Sequence, residues 1–512
     1  MPLLRLAPLA LLAAAVSSAG DPPKKVEPKF KLGKDTTVIS APLTADGYLD
    51  YETALNDRLR GKITPATNAV VGLLKALGPK PERAELHPDF WKALGIPVPP
   101  EEGDYLVPHS KFFTGVEDVQ AFHDRETQLR ANPWKATDEP KFAEWLAVNE
   151  KPLAVAMEAS KRKDYFHPYI SRPKDGSPGT LLGALLPIPQ KVREFASAFS
   201  VRAMLRCGEK KFDDAWADIL TIHRLGRLVA RGGSGIELLV GVALGAVAHN
   251  SEKAFLEVAK RDAKTALKCQ ADLLALPKWP TYADKLALGE RFTALDALQS
   301  IRRGGAGEIV GGLPKMTPEE QEKAMAMLDW ERMFRLNTEW YDRFVAVART
   351  PTRAERRTAG AEVGRELEKL VARNREVGEF PNWVQQANEA KVRTAVSDKI
   401  AIVFLALMAP NIDKLMDAAD RAEQLSRNGV LAFALAAHVA DHGKYPAKLA
   451  DLAPKYVAKL PDDVFGAKPL VYKPTEKGYL LYSVGANGLD DGGQSFNDDP
   501  KGDDLAVRMP RK

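Results

Sequence analysis

From about residue 41 to residue 427, apolar side chains recur close to every 3.6 positions, and Pro and Gly cut the run into pieces of helix length. A chain patterned this way buries one stripe of each helix against its neighbours, so a multi-helix body of αα-hairpins is expected here. Between Arg353 and Asn374, for example, Ala359, Val363, Leu367, Leu370 and Val371 share one face, while Arg and Glu cover the rest. Capping chemistry marks the starts. Thr64-Pro65 offers an N-cap side chain before a Pro at the first helical position, and Thr317-Pro318-Glu319-Glu320 adds the Glu of a capping box. Thr281 with Asp284, and Thr352 with Glu355, predict two further starts. The segments 191–207 and 212–231, joined through Gly208, read as one αα-hairpin. Its stretch CGEKKFDDAWADILTIHRLGRL resembles a tetratricopeptide helix pair, but the period of about 34 residues does not recur, so no repeat array is expected.

The chain has 512 residues, of which 45% are hydrophobic and 28% charged. Collagen-like, mainly disordered and polytopic membrane classes do not fit that composition. At about 150 residues per domain the length suggests about three domains. The formal net charge of +5 is small for this length and gives no reason to expect nucleic-acid binding. Lys161-Arg162-Lys163 is too short a run to change that.

The N-terminus reads as an export signal over residues 1–19. Arg5 precedes the apolar run Leu6–Val16, the small residues Ser17, Ser18, Ala19 and Gly20 follow, and cleavage is expected after Ala19. Eleven apolar residues at about 1.5 Å each do not cross a hydrocarbon core of about 30 Å. No later membrane span is expected; the apolar stretches Ile236–Ala248 and Ile400–Pro410 read as buried helices. Residues 20–40, rich in Pro and Lys, read as a flexible tether or edge segment. Cys207 and Cys269 are the only cysteines, and both a disulfide and two buried thiols fit an exported chain.

No catalytic constellation emerges. The eight histidines form no HExxH motif, and His442 belongs to a His-Gly-Lys-Tyr-Pro turn that separates it from the helix carrying His438. Ser234 in Arg231-Gly232-Gly233-Ser234-Gly235-Ile236 lacks the last Gly of a nucleophile elbow, so this segment reads as a link to a helix beginning near Ile236. Arg302-Arg303-Gly304-Gly305-Ala306-Gly307 lacks the end of a phosphate loop and reads as a flexible loop. Tyr165, Phe166, His167 and Tyr169 beside Pro168 read as a packing point at a helix end.

The pattern changes after about residue 428. A helix over Val430–Ala440 precedes β-like runs at Pro469–Lys473, Tyr479–Val484 and Leu505–Arg508, which together read as a small α+β module over 428–512 with a short antiparallel sheet. Asp490, Asp491, Asp498, Asp499, Asp503 and Asp504 place six carboxylates within fifteen residues, with Lys501 the only cation among them. Packed together they would repel, and Ca²⁺, with six to eight oxygen ligands at about 2.3–2.6 Å, would relieve that. No Cys or His lies nearby, which argues against zinc or copper. An EF-hand register fails, because a loop begun at Asn487 has Leu489 at its third position and Asp498 at its twelfth. A solvated acidic turn without metal fits the same residues.

Several spaced motifs in this module carry a family resemblance. They are His442-Gly443-Lys444-Tyr445-Pro446, Asp451-Leu452, Leu460-Pro461-Asp462-Asp463-Val464-Phe465-Gly466, Leu481-Tyr482-Ser483-Val484-Gly485-Ala486-Asn487-Gly488, Asp490-Asp491-Gly492-Gly493 and Gly502-Asp503-Asp504-Leu505. Over residues 420–508 the chain resembles the globular end of type II secretion major pseudopilins. That resemblance implies a helix packed on a small antiparallel sheet and a calcium-binding loop. By position it implies Asn487, Asp503 and Asp504 as side-chain ligands, Asp490 and Asp491 as further candidates, and Ser483 through its backbone. Val464 replaces the family's usual Pro, and Asn487 its usual Asp. The long helical body stands where that family carries its fibre-forming helix, so a borrowed module rather than a pilin is expected.

The opening ADGYLDYETALNDRL with TPATNAVVGLLKALG resembles the start of uncharacterised exported bacterial proteins, which bears on localisation alone. The sequence therefore predicts a mainly α exported protein with a helical body over 41–427, for which 190 is the expected point of any division, and the module at 428. The expected role is that of a non-enzymatic envelope or secreted interaction protein with a protein partner and a calcium-stabilised end. The alternative is a secreted or periplasmic hydrolase with its active site in the helical body. Assembly with a secretion apparatus is a third reading, by analogy.

Overall fold

The computed structural model describes residues 26–81, 85–115, 118–171, 179–184, 186–259, 262–305, 317–374, 390–466, 468–496 and 498–511. The expected signal segment, the end of the chain at Lys512 and Ala306-Gly307 lie outside the described residues. The fold is mainly α with one short antiparallel sheet near the C-terminus, as the periodicity predicts.

Helix α1 (Glu150–Ser160) leads to a hairpin of α2 (Pro187–Gly208) and α3 (Phe212–Val229), the pair expected from the pattern around Gly208. Helix α4 (Gly235–Val258) begins at Ser234, whose side chain and Glu237 form a capping box, so the Gly-Gly-Ser-Gly segment is a helix start. Helix α5 (Ala263–Leu274) follows. Phe195, Phe199, Ile219, Ile222, Leu244 and Phe255 fill the core that α2, α3 and α4 share. Cys207 and Cys269 are buried at its edge and are not bridged.

A second core gathers Leu55, Phe292, Leu295, Phe334, Tyr341 and Phe404 between α6 (Trp330–Arg349), α8 (Ala390–Met408) and neighbouring short helices. Helix α7 (Arg353–Asn374) lies against α6 and α8, and Thr352 with Glu355 caps it as expected. Helix α9 (Ile412–His442) closes the body. The two apolar stretches read as buried helices bury Leu238, Val240, Leu244 and Ala248 in α4, and Ile400, Ala401, Ile402, Phe404 and Leu405 in α8. By length and composition alone the Arg393–His442 stretch could cross a membrane, and 44% of its most apolar window is buried.

Several expectations need correction. Residues 26–40 are no tether: Phe30, Thr36, Thr37 and Ile39 are buried, and the Phe30 ring packs on Trp330 and Phe334. The helix expected at Pro65 begins at Ala69 under an Asn68 cap, because Thr64 instead closes a turn with Thr67 and Asn68. Ile301–Gly305 is helical rather than loop, with Arg302 over the Phe30 ring and Arg303 paired to Asp46. The boundary at 428 falls inside α9, which runs unbroken for 31 residues. The same helix extends through His442, and the His438 and His442 rings stack at 4.3 Å.

The sheet order is β1 (Val471–Pro474), β2 (Tyr479–Ser483), β3 (Leu505–Met509). Tyr472 pairs with Leu481 and Ser483 with Leu505. The alternating inward residues Leu481, Val507 and Met509 pack on Leu431 and Leu435 of α9 and Ala266 of α5. This arrangement leaves the long β2–β3 loop, with its acidic residues, at the end of the sheet.

Candidate metal centre

The β2–β3 loop turns back on itself through glycines with positive φ. At Gly485 (φ 69°) a Cβ would stand 2.3 Å from the Asp503 carbonyl oxygen, so only glycine lets the two ends of the loop approach this closely. The loop is held to the body from outside. Arg353 and Arg357 of α7 donate to the Ala486 carbonyl at 3.3 and 3.1 Å, and the Arg353 guanidinium lies 4.5 Å from the Phe465 ring.

Within this frame, carboxylate oxygens of Asp491, Asp503 and Asp504 lie within 4.8 Å of one another. Asp491 Oδ2 accepts from the Asp503 N–H (3.0 Å) and the Asn487 Nδ2 (3.2 Å). Asp503 Oδ2 accepts from the Asn487 N–H, and Asp504 Oδ2 from the Gly493 N–H. The other oxygens, Asp503 Oδ1 and Asp504 Oδ1, are buried with no hydrogen-bond partner among the described residues. Asp504 is fully buried, and that burial, reinforced by Asp491 and Asp490, pushes its carboxyl up to about 6 despite the N–H bonds it accepts.

The remaining expected ligands face elsewhere. Asn487 turns its amide oxygen onto the Leu489 N–H at 2.6 Å. Asp490 accepts from the Tyr482 hydroxyl (2.8 Å) and the Gly492 N–H (2.9 Å), which hold its carboxyl below the usual range. Asp498 accepts from Ser495 and pairs with Arg508 at 3.5 Å, while Asp499 is exposed. Of the six carboxylates expected to converge, three come together here: Asp491, Asp503 and Asp504. The reason is local: short-range bonds and an arginine already satisfy Asp490 and Asp498, and Asp499 faces solvent. Ser483 gives its hydroxyl to Asp463 Oδ1 (2.7 Å) and accepts on the same oxygen from the Gly485 N–H (3.4 Å), so its side chain is already engaged.

No family model, curated protein or solved structure matches the chain. What the site can do therefore rests on its own chemistry. Three hard oxygen donors, two of them buried and unsatisfied, suit a hard cation such as Ca²⁺.

Sequence reading missed two buried polar groups. Asp463 accepts from Ser483 Oγ and from the N–H groups of Phe465 and Val484, stapling the Leu-Pro-Asp-Asp segment to β2. In the body, Glu252 of α4 bonds His223 Nε2 at 2.5 Å and His249 Nδ1 at 3.1 Å. Although burial opposes it, the two histidines hold Glu252 down to about 2. The i, i+3 spacing of His249 and Glu252 was readable; the approach of His223 from another helix was not. The Tyr165–Tyr169 cluster is buried as expected and also surrounds a carboxyl group, since Tyr169 donates to Glu237 and Tyr165 contacts it at 3.4 Å.

Proposed function

We propose that this chain is an exported interaction protein whose C-terminal module is clamped by a calcium ion held on Asp491, Asp503 and Asp504. The observation that carries the metal is the pair of buried carboxylate oxygens, Asp503 Oδ1 and Asp504 Oδ1, with no hydrogen-bond partner among the described residues. An unsatisfied buried carboxylate oxygen costs several kcal/mol unless a cation or a proton meets it. The ion would tie the start of β3 to the loop, and its role would be structural. The body, docked to that loop through Arg353 and Arg357, would then present a binding face for a protein partner.

Stabilisation by a ligand that binds only the folded state is RT ln(1 + [Ca²⁺]/Kd), about 1.4 kcal/mol at ten times Kd. Extracellular calcium modules have Kd of about 10⁻⁴–10⁻³ M. The test compares melting temperatures in EDTA and in millimolar calcium, for the wild type and for Asp503→Asn with Asp504→Asn. A rise with calcium that the double variant loses supports the clamp. Equal melting temperatures in both buffers remove it.

The hydrolase alternative has one observation of its own. His249 keeps Nδ1 on Glu252, and its Nε2 is buried without a partner among the described residues, at the wall of a cavity of about 350 Å³ between α4, α9 and the module. A histidine oriented by a carboxylate with its second nitrogen open is the arrangement of a general base. Turnover of p-nitrophenyl esters or phosphates that disappears in His249→Gln, with unchanged melting, would favour the enzyme. Absence of turnover across that panel counts for the binding role.

A further inference from the structure

A second cavity, of about 290 Å³, lies between the end of α1, the second half of α3 and the end of α5. It has no part in the module or in the proposed metal centre. Its wall carries Lys161, Arg162, Lys163, Arg224, Arg227 and Arg231 against one acid, Asp272. That acid is already engaged, accepting from Trp216 Nε1 at 2.9 Å and from Lys268 at 3.3 Å.

What the cations touch matters more than how many there are. Arg162 donates to the carbonyls of Pro65 (3.1 Å) and Asn68 (2.7 Å), and Arg231 donates to the carbonyl of Lys163. Arg227 donates to the Pro277 carbonyl at 3.0 Å and stacks 4.6 Å from the Trp279 ring. Carbonyls and a ring face fix the direction of a guanidinium without neutralising it. Among the described residues, Lys161 is the one of these cations in an ion pair, with Glu158. Arg224 and Lys163 have no ion pair among the described residues, and Arg224 is only partly exposed. Burial lowers the Arg224 pKa although Asp272 and Glu158 oppose the shift, and burial brings Arg227 down to about 10. Arg224 and Arg227 are thus partly desolvated, although Glu252 and Glu423 act on Arg227, while Arg162, Arg227 and Arg231 are held in fixed directions and the exposed Lys163 stands at the mouth.

We propose that this cavity binds a small multiply charged oxyanion of the phosphate class, with Arg224 and Lys163 as its principal charge partners. Fixed guanidinium forks match the geometry of tetrahedral oxyanions, and their attraction strengthens in a partly desolvated pocket. A liquid water occupies about 30 Å³, so the space holds a diphosphate or a phosphorylated compound rather than one bare ion. The basic residues come from two segments of sequence, 161–163 and 224–231, and converge on a concavity. A long nucleic acid would instead need a track of charge along the surface.

The test is calorimetric titration of the full chain with pyrophosphate, in EDTA throughout so that it does not depend on calcium, at ionic strength held constant with NaCl. Arg224→Gln and the exposed-site variant Lys163→Gln are each expected to weaken binding at least tenfold. The melting temperature of Arg224→Gln without pyrophosphate should be unchanged or higher, because the substitution removes an uncompensated charge. Binding unaffected by either variant overturns the proposal. So does a pyrophosphate effect reproduced by NaCl alone, or tighter binding of a single-stranded oligonucleotide than of pyrophosphate, which would point to a nucleic-acid surface.

Discussion

Asn428, in the middle of α9, donates its Nδ2 to the carbonyl of Leu505, the first residue of β3, at 2.8 Å. Asn428 is fully buried, and its Oδ1 accepts in turn from Gln424 Nε2 at 2.7 Å, whose Oε1 accepts from the Val464 N–H at 2.8 Å. One chain of side-chain amides therefore ties the last strand, the Leu-Pro-Asp-Asp segment and the longest helix together. The module and the body share that helix. Asn428→Leu keeps the volume but strands the Leu505 carbonyl and the Gln424 amide, and is expected to cost about 2–4 kcal/mol. Urea unfolding followed by circular dichroism and by Trp fluorescence measures it. Module and body should lose structure in a single transition in both proteins.

Gly208 ends α2 under the backbone of residue 134. A Cβ there would stand 1.9 Å from the Trp134 carbonyl oxygen, while the Trp134 N–H and Nε1 bond the carbonyls of Met204 and Val201. The contact is backbone on backbone, so neither side yields by rotating a side chain. Gly208→Ala is expected to lower stability by about 2–3 kcal/mol despite the better helix propensity of Ala. The denaturation midpoint of that variant checks it.

Which parts were readable from the sequence follows from the range of the forces involved. The hairpin around Gly208, the cap at Thr352 and the strand at Tyr479–Ser483 are set by residues within a few positions, and the sequence displays them. Phe30 packs on Trp330 and Phe334, 300 residues or more away, in a segment without period, so nothing local announced its burial. The helical period continues through Gln424, Asn428 and Leu431, all buried, so the change of composition at 428 marks no break in the backbone. In the acidic loop the composition was legible but the selection was not. Whether Asp490 or Asp491 turns inward depends on Tyr482, and that partner appears only when β2 is in place. The basic cavity joins residues 161–163, 224–231 and 272, a convergence that no local spacing encodes.

His167 gives an acid-sensitivity prediction. Its ring is buried beside Phe90 and Tyr169, neither ring nitrogen has a partner among the described residues, and burial pushes its pKa down from 6.5 to about 3. The folded state thus takes up the proton less readily than the unfolded chain. Stability linked to this group is complete above about pH 6.5 and falls as pH drops toward 3. His167→Phe, which keeps an aromatic ring and removes the titration, should flatten that part of the fall. Melting temperatures of both proteins at pH 7, 5 and 4 test it: the difference between them should move in favour of the variant as the pH is lowered.

Asp504 works in the opposite direction, and calcium should reverse it. Its folded pKa of about 6 stands above the ordinary 3.8, with Asp490 and Asp491 adding to the shift. Asp503 lies beside it, Lys473 of β1 acts on it, and Lys253, Arg421, Asp498, Arg508 and Arg511 line the same cavity. A raised pKa means that the folded state favours the protonated acid, so without metal this contribution is present at acid pH and lost as pH rises through about 6. Calcium competes for the same oxygen and needs the proton gone. The melting temperature in calcium minus that in EDTA should accordingly be close to zero at pH 4.5 and grow through pH 7. Asp504→Asn supplies a neutral side chain at every pH. In EDTA at pH 7 it should be at least as stable as the wild type, and it should lose the calcium response. If the calcium increment were the same at pH 4.5 and 7, the ion would be bound at carboxylates other than Asp504.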